Sequence, residues 1–402
     1  MLTKLNQSTF VFDHEFYLNK IYKSCLICQK ENLLVQLRIK KEHFNLSEPH
    51  ILQSNSCEHM KSKQENNVST DGHAISVSND NKSKKRKRKR KFPLNKGEIA
   101  SLEYHANIYP HLRYAYECFK LYKEKSYNET SSCNKLKVNE CGSQCLNLVC
   151  LKCSGMIDSF ISSGSMLQNC QNFPIVFRNS NQSYVCPAKS SFVVSDIKQT
   201  QALIENAESF GKFNCIVADP PWENKSVKRG RKYCWLTNQQ IKDYLPVPRI
   251  MSDTCLIVVW VTNKQKIMKF VKDEVFKKWG FKYLTEWHWV KVTKTGKPVF
   301  PFESTHKKPY ETMLVGCTPS MEEYLTKNSI DVHNKVIFSV PSETHSHKPP
   351  LNEVLSLIFA QFEVDPKFIE LFARSLTPGW VSWGNETLKM QHLSYFDSSD
   401  IL

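Results

Sequence analysis

Glycine is scarce in this 402-residue chain. There are twelve, well under the usual share of about 7%, and none stand as Gly-x-Gly-x-x-Gly. That excludes the common dinucleotide cradle and the P-loop, which both need glycine where backbone approaches phosphate. Long apolar runs are missing too. The longest, Cys255–Val261, has seven residues, whereas about 18 are needed to cross a bilayer. Residues 1–7 hold no apolar stretch of the secretory kind, so no membrane partner is expected. A disulfide framework is also lacking: the 15 cysteines are odd in number and spread over the whole chain, as in a reducing, intracellular compartment. The pairs Cys141/Cys145 and Cys150/Cys153 lie too near each other for a four-ligand zinc site, and Cys25/Cys28 has no mate nearby. No metal is assigned. Acidic residues are the last shortage, 39 against 55 basic ones.

What is present follows from that imbalance. The net charge is +16, and Lys84–Lys91 (KKRKRKRK) holds eight positive charges in eight residues. Such a balance favours a polyanion, chiefly nucleic acid. The run reads as a nuclear import signal, which places the protein in the nucleus, with the cytoplasm as a second location. It ends a stretch poor in apolar residues, so residues 52–92 are expected to be a disordered basic linker. Residues 1–51, with Phe10, Phe12, Phe16, Tyr17 and Tyr22, form a small N-terminal segment. Residues 93–194 make a middle region that could position RNA, with a helix over 102–123. The whole N-terminal part reads as irregular and α-rich.

From residue 195 to 396 the texture changes to apolar strands alternating with amphipathic helices. Residues 213–218 read as a buried strand, 236–245 as a helix opened by a Thr237/Gln240 capping box, and 256–261 as a second buried strand. Residues 263–279 are helical with Gly280 as C-cap. Strands follow over 283–292, 312–317 and 368–373, and a helix after Pro349-Pro350. This alternation predicts an α/β fold with a largely parallel, doubly wound sheet, whose ligands sit outside the carboxyl ends of the strands.

Asp219-Pro220-Pro221-Trp222 follows the first of those strands, where such a sheet places its site. The sequence suits methylation of an exocyclic amine. The lone pair of an aromatic amine is delocalised into its ring, so acceptors must hold its hydrogens and turn the lone pair toward the donor. Asp219 supplies a carboxylate, Pro220 a carbonyl in a chain stiffened by two fixed φ angles, and Trp222 a flat face for an extruded base. The loop after Trp222 carries Lys225, Lys228 and Arg229, placed to grip phosphates.

Residues 219–229 resemble the DPPW, or MT-A, family of adenine-N6 methyltransferases. Six further stretches match in order: Trp260–Asn263 (WVTN), Glu286–Lys291 (EWHWVK), His306–Glu311 (HKKPYE), His345–Pro350 (HSHKPP), Glu370–Arg374 (ELFAR) and Gly379–Asn385 (GWVSWGN). They cover about half the chain; the first 190 residues carry no comparable resemblance. The resemblance implies a Rossmann-like class I methyltransferase fold with permuted motif order and S-adenosyl-L-methionine as cofactor. It implies that Lys348 meets the cofactor carboxylate and that Glu370 takes its ribose hydroxyls, with Arg374 beside it. Asn385 and Glu386 would close over the nucleoside, although many relatives have Gln at position 386. Asp196-Ile197 would hold the adenine, at a longer spacing from Asp219 than is usual. Trp260, Trp289 and Lys291 fall near the pocket, as core or as base platform. The closest branch implies a small nuclear RNA substrate with 2′-O-methyladenosine as target. DNA adenine is the alternative, and a non-catalytic nucleic-acid-binding subunit a third reading. Oligomeric state is not legible.

Overall fold

The computed structural model describes residues 1–23, 25–27, 34–50, 96–128, 149–150, 161, 164–196, 199–223, 236–304 and 307–400. The linker 52–92, the cysteines 133–145 and 153, Ile197, His306 and the loop bearing Lys225, Lys228 and Arg229 lie outside them. No helix among the described residues is long and apolar enough to cross a membrane.

A twelve-stranded sheet runs through the molecule. In spatial order its strands are Leu2–Lys4, Thr9–Phe12, Val336–Ser339, Lys282–Lys291, Tyr310–Cys317, Met251–Val261, Phe213–Ala218, Phe368–Leu371, Val381–Gly384, Ser191–Val194, Leu167–Gln168 and Val149–Cys150. Phe213–Ala218 pairs in parallel with Met251–Val261 on one side and with Phe368–Leu371 on the other. Tyr310–Cys317 runs antiparallel between two neighbours. The mostly parallel α/β sheet read from the sequence is therefore present. Its central strands are buried on both faces, which is why they read as continuous apolar runs rather than as alternation.

Helices cover both faces. Gln265–Phe270, the wide turn Val271–Val275 and Phe276–Trp279 form one helical rod that buries Ile267, Val271, Val275 and Trp279. Gly280 ends it in the left-handed region at φ 81°, a position only glycine takes without cost. The helix Asn238–Tyr244 opens with the expected Thr237/Gln240 capping box. On the opposite face the helix Asn352–Ile358 buries Val354, Leu355 and Ile358 among Trp260, Trp287 and Trp289. Each such fully buried aliphatic chain contributes about 1.5–3 kcal/mol.

The N-terminal part is built around a helix longer than read, Lys96–Asn128, with short strands beside it. Thr9–Phe12 pairs with Val336–Ser339 and so extends the main sheet. Leu34–Ile39 and Cys25–Ile27 join Ile175–Asn179, Gln182–Cys186 and Phe396–Asp400 in a second, five-stranded sheet. These strands are only three to six residues long, too short for a period of two to stand out in the sequence. Leu112, Ala115 and Phe119 of the long helix pack on Val290, Val292 and Phe338, with Phe119 and Phe338 stacked at 4.8 Å.

Candidate functional site

The strand order reverses beside Phe213–Ala218. The chain leaves it toward Met251–Val261, while the strands on its other side arrive from elsewhere in the sequence. The crevice at such a reversal is where open α/β sheets bind ligands, and Asp219 stands at its mouth. The Asp219 backbone N–H donates to the Leu371 carbonyl at 3.3 Å, which fixes the turn to the neighbouring strand. Glu370 is the penultimate residue of that neighbour, and Arg374 follows through Phe372, held in the left-handed region at φ 60°. A non-glycine residue there costs about 1–3 kcal/mol, strain that clusters at functional sites. Asn385 and Glu386 follow the next strand, Val381–Gly384. A Cβ on Gly384 would meet backbone atoms of Phe372 and Ala373 at 3.2 Å, so a side chain at residue 384 would press these two strand ends apart by a few tenths of an ångström. Asp196 follows Ser191–Val194, one strand further out. The sheet thus gathers Asp219, Glu370, Arg374, Asn385, Glu386 and Asp196 along one edge.

Charge alternates across this edge. Asp219 Oδ2 accepts from Arg374 Nη1 at 2.7 Å, and its Oδ1 lies 3.8 Å from Lys348 Nζ. Arg374 Nε also donates to Glu386, at 3.2 Å, and Lys389 closes that end at 2.8 Å. At the other end Lys348 and Lys291 both pair with Glu311. Burial pushes the Glu311 carboxyl up, but the two ammonium groups outweigh it and bring its pKa down to about 2. For Lys348 burial pulls down while Asp219 and Glu311 pull up, and the carboxylates win. Lys348 also lies over the Trp260 ring at 4.9 Å, and Lys291 over Trp289 at 4.6 Å.

Glu370 is the exception in this network. Among the described residues no donor meets either of its carboxylate oxygens. Burial, with the Asp219 charge added, raises its pKa to about 8 against the pull of Arg374. A strand-end carboxyl without a partner is an acceptor awaiting hydroxyl donors.

The three indoles sit differently from an open base platform. Trp222 is only 7% exposed, and its Nε1–H donates to the Trp260 carbonyl at 2.7 Å. That hydrogen bond lies in the plane of the indole and fixes its orientation at the crevice. Trp260 and Trp289 are each 2% exposed and meet edge to face at 6.0 Å, while Trp289 Nε1 donates to the Ser339 hydroxyl at 2.8 Å. Their place is the core beneath the site. The Pro220 carbonyl accepts from the Trp222 N–H at 2.8 Å, which leaves it one lone pair for another donor. Glu311 carries a role that sequence reasoning missed, although it closes one of the matched stretches. Its signal was a carboxylate at the start of an otherwise apolar strand.

The MT-A70 family model matches residues 213–386. The N(6)-adenine-specific methyltransferase METTL4 of Homo sapiens is 44% identical over 237 residues, 58% of this chain and 48% of that protein, so the match spans about half of the human relative's length. METTL4 of Mus musculus is 36% identical over 391 residues, 89% of this chain and 80% of that protein. A protein of Caenorhabditis elegans named DNA N6-methyl methyltransferase is 33% identical over 243 residues, 60% of this chain and 62% of its own length. The branch the matched stretches resemble is thus the METTL4 one. With a relative aligned over four fifths of its length and the family model lying across the Asp219 crevice, this chain belongs to the MT-A70 family of adenine-N6 methyltransferases.

Proposed function

We propose that the chain transfers a methyl group from S-adenosylmethionine to the N6 amine of adenine in RNA, in a small nuclear RNA whose target adenosine carries a 2′-O-methyl group. The observation that carries this reading is Asp219, clamped by Arg374 at the crevice and flanked by Glu370, which meets no donor among the described residues. The residues present fit the cofactor. Glu370 suits ribose hydroxyls, Lys348 suits a carboxylate, and Arg374, Asn385, Glu386 and Asp196 border the same edge. When bound, S-adenosylmethionine supplies an electrophilic methyl group on its sulfonium. The chain supplies alignment and fixed charge. Asp219 Oδ1 and the second lone pair of Pro220 take the two amine hydrogens, and the Trp222–Trp260–Trp289 wall keeps the surroundings dry. The intact Asp219, Lys348 and Glu370 speak against a purely scaffolding subunit. The small nuclear RNA target rests on the resemblance of the matched stretches, and nuclear import on Lys84–Lys91. A DNA substrate is the second reading, favoured by the name of the nematode relative.

Mass spectrometry of nucleosides tests the proposal. N6-methylated 2′-O-methyladenosine in small nuclear RNA should fall when the protein is removed and return with the wild-type chain only. Loss of N6-methyldeoxyadenosine instead would move the substrate to DNA.

Glu370 adds a pH signature. Its folded pKa of about 8 lies above the ordinary value of about 4.3. The unliganded protein therefore binds the extra proton and loses stability as pH rises from about 4.3 to 8, by a few kcal/mol. Hydroxyl donors on the ionised carboxylate reverse this, so cofactor binding near pH 7 should release a proton. Calorimetry in buffers of different ionisation enthalpy should show close to one proton released, and Glu370→Gln should abolish it. An equal signal in both proteins would remove Glu370 from the cofactor site.

A further inference from the structure

The turn that follows Val381–Gly384 grips Arg374 at two points. The Met390 N–H donates to the Arg374 carbonyl at 3.0 Å, and Glu386 Oε2 accepts from Arg374 Nε at 3.2 Å. Glu386 is itself fixed. Its Oε1 accepts from Lys389 Nζ at 2.8 Å, and the Lys389 N–H donates to the Glu386 carbonyl at 2.9 Å, which closes the turn. Just beyond, the Gln391 side-chain oxygen accepts from the Leu376 N–H at 3.2 Å, so the turn is tied to the chain on the far side of Arg374 as well. Burial pushes the Glu386 carboxyl up, but Lys389 and Arg374 outweigh it and hold it below its ordinary value. It is a carboxylate at neutral pH.

Arg374 thus serves two carboxylates with two different nitrogens, Nε for Glu386 and Nη1 for Asp219 Oδ2. Two anchors fix the plane of the guanidinium. Among the described residues Arg374 gives Asp219 that one hydrogen bond. The other oxygen, Oδ1, faces Lys348 at 3.8 Å, beyond hydrogen-bond length, while Lys348 bonds to Glu311. A guanidinium with no second partner closes on a carboxylate as a fork, and its two parallel bonds occupy both oxygens. Glu386 is the second partner that opposes this closure.

We propose that Glu386 is a positioning residue for methyl transfer: it holds Arg374 to a single bond on Asp219, so that Oδ1 stays open to the amine of the target adenine. The inference deepens the function assigned above and rests on Asp219 as the acceptor of that amine. It also separates Glu386 from Glu370. Both Glu386 oxygens are engaged by cations, whereas Glu370 meets no donor among the described residues. Lys389 balances the charge that Glu386 adds, so the clamp does not repel Asp219.

The test compares two short single-stranded RNAs. One carries a 2′-O-methyladenosine; the other carries 2′-O-methyl purine riboside in its place, which lacks the 6-amino group. The full chain is saturated with S-adenosylhomocysteine, so no methyl group moves, and binding is read by anisotropy. Wild type should favour the amine-bearing RNA by about 10-fold, the worth of one hydrogen bond to a charged group. Glu386→Ala should lose that preference, whereas Glu386→Gln, which keeps an acceptor for Nε, should retain most of it. Calorimetry should find the cofactor Kd of both variants at the wild-type value. In an Arg374→Lys background, which lacks the planar fork, Glu386→Ala should change the preference no further. Glu386 is partly exposed, so the variants should fold. If Glu386→Ala does not, Glu386→Asp replaces it: its carboxylate is one methylene short of Nε and should lose the preference too. A preference that survives in the Ala or Asp variant overturns the proposal. So does a weakened cofactor Kd with the preference intact, which would give Glu386 to the ribose. If wild type itself shows no preference, Asp219 does not hold the amine, and the reading beneath this inference fails with it.

Discussion

Asp219→Asn should reduce kcat by about 100- to 1,000-fold, the usual loss when one preorganised electrostatic group is removed from a transition state. Asn keeps the shape of Asp219 and one acceptor oxygen, so the turn at Pro220 and the bond to Leu371 survive. What goes is the negative charge between Arg374 and Lys348. As the methyl group arrives, the N6 amine becomes cationic, and the carboxylate stabilises that charge where an amide cannot. Cofactor Kd should move far less than kcat. Asp219→Ala is a poorer probe, since it strands two partly buried cations, and that costs stability on its own. Retention of more than a tenth of wild-type kcat in Asp219→Asn would remove the carboxylate from the chemistry.

Lys348→Met should weaken S-adenosylmethionine binding by about 10- to 100-fold, the worth of a hydrogen bond to a charged group at about 1.5–3 kcal/mol. Methionine keeps an unbranched stem against Trp260, so packing changes little. The control is 5′-methylthioadenosine, which has the ribose and adenine but no amino-acid carboxylate. It should bind Lys348→Met and wild type equally. If both ligands weaken together, Lys348 holds the crevice in shape through Glu311 and Asp219 and does not meet the carboxylate.

The sequence showed the strand before Asp219, the helix cap at Thr237, the left-handed Gly280 and the edge on which Asp219, Glu370 and Asn385 meet. Each of these depends on local chemistry or on apolar runs, which are visible in one dimension. What stayed hidden depends on partners far away in the chain. The orientation of Trp222 is set by the carbonyl of Trp260, 38 residues on, which takes its N–H. Glu311 reads as a strand-end acid until Lys291 and Lys348 close on it. The strands of the first forty residues are too short to declare themselves, and their pairing partners lie up to about 360 residues away.

Thr9–Phe12 has a consequence for any shortened form of the protein. It satisfies the open side of Val336–Ser339, and Phe10 and Phe12 are each 2% exposed. A fragment beginning near residue 195 would keep every residue of the catalytic edge and still carry a raw strand edge beside uncovered indoles, which is a template for sticking to other copies. The catalytic region is thus not a cassette that can be cut out at its sequence boundary; its solubility is supplied by a dozen residues at the opposite end of the chain.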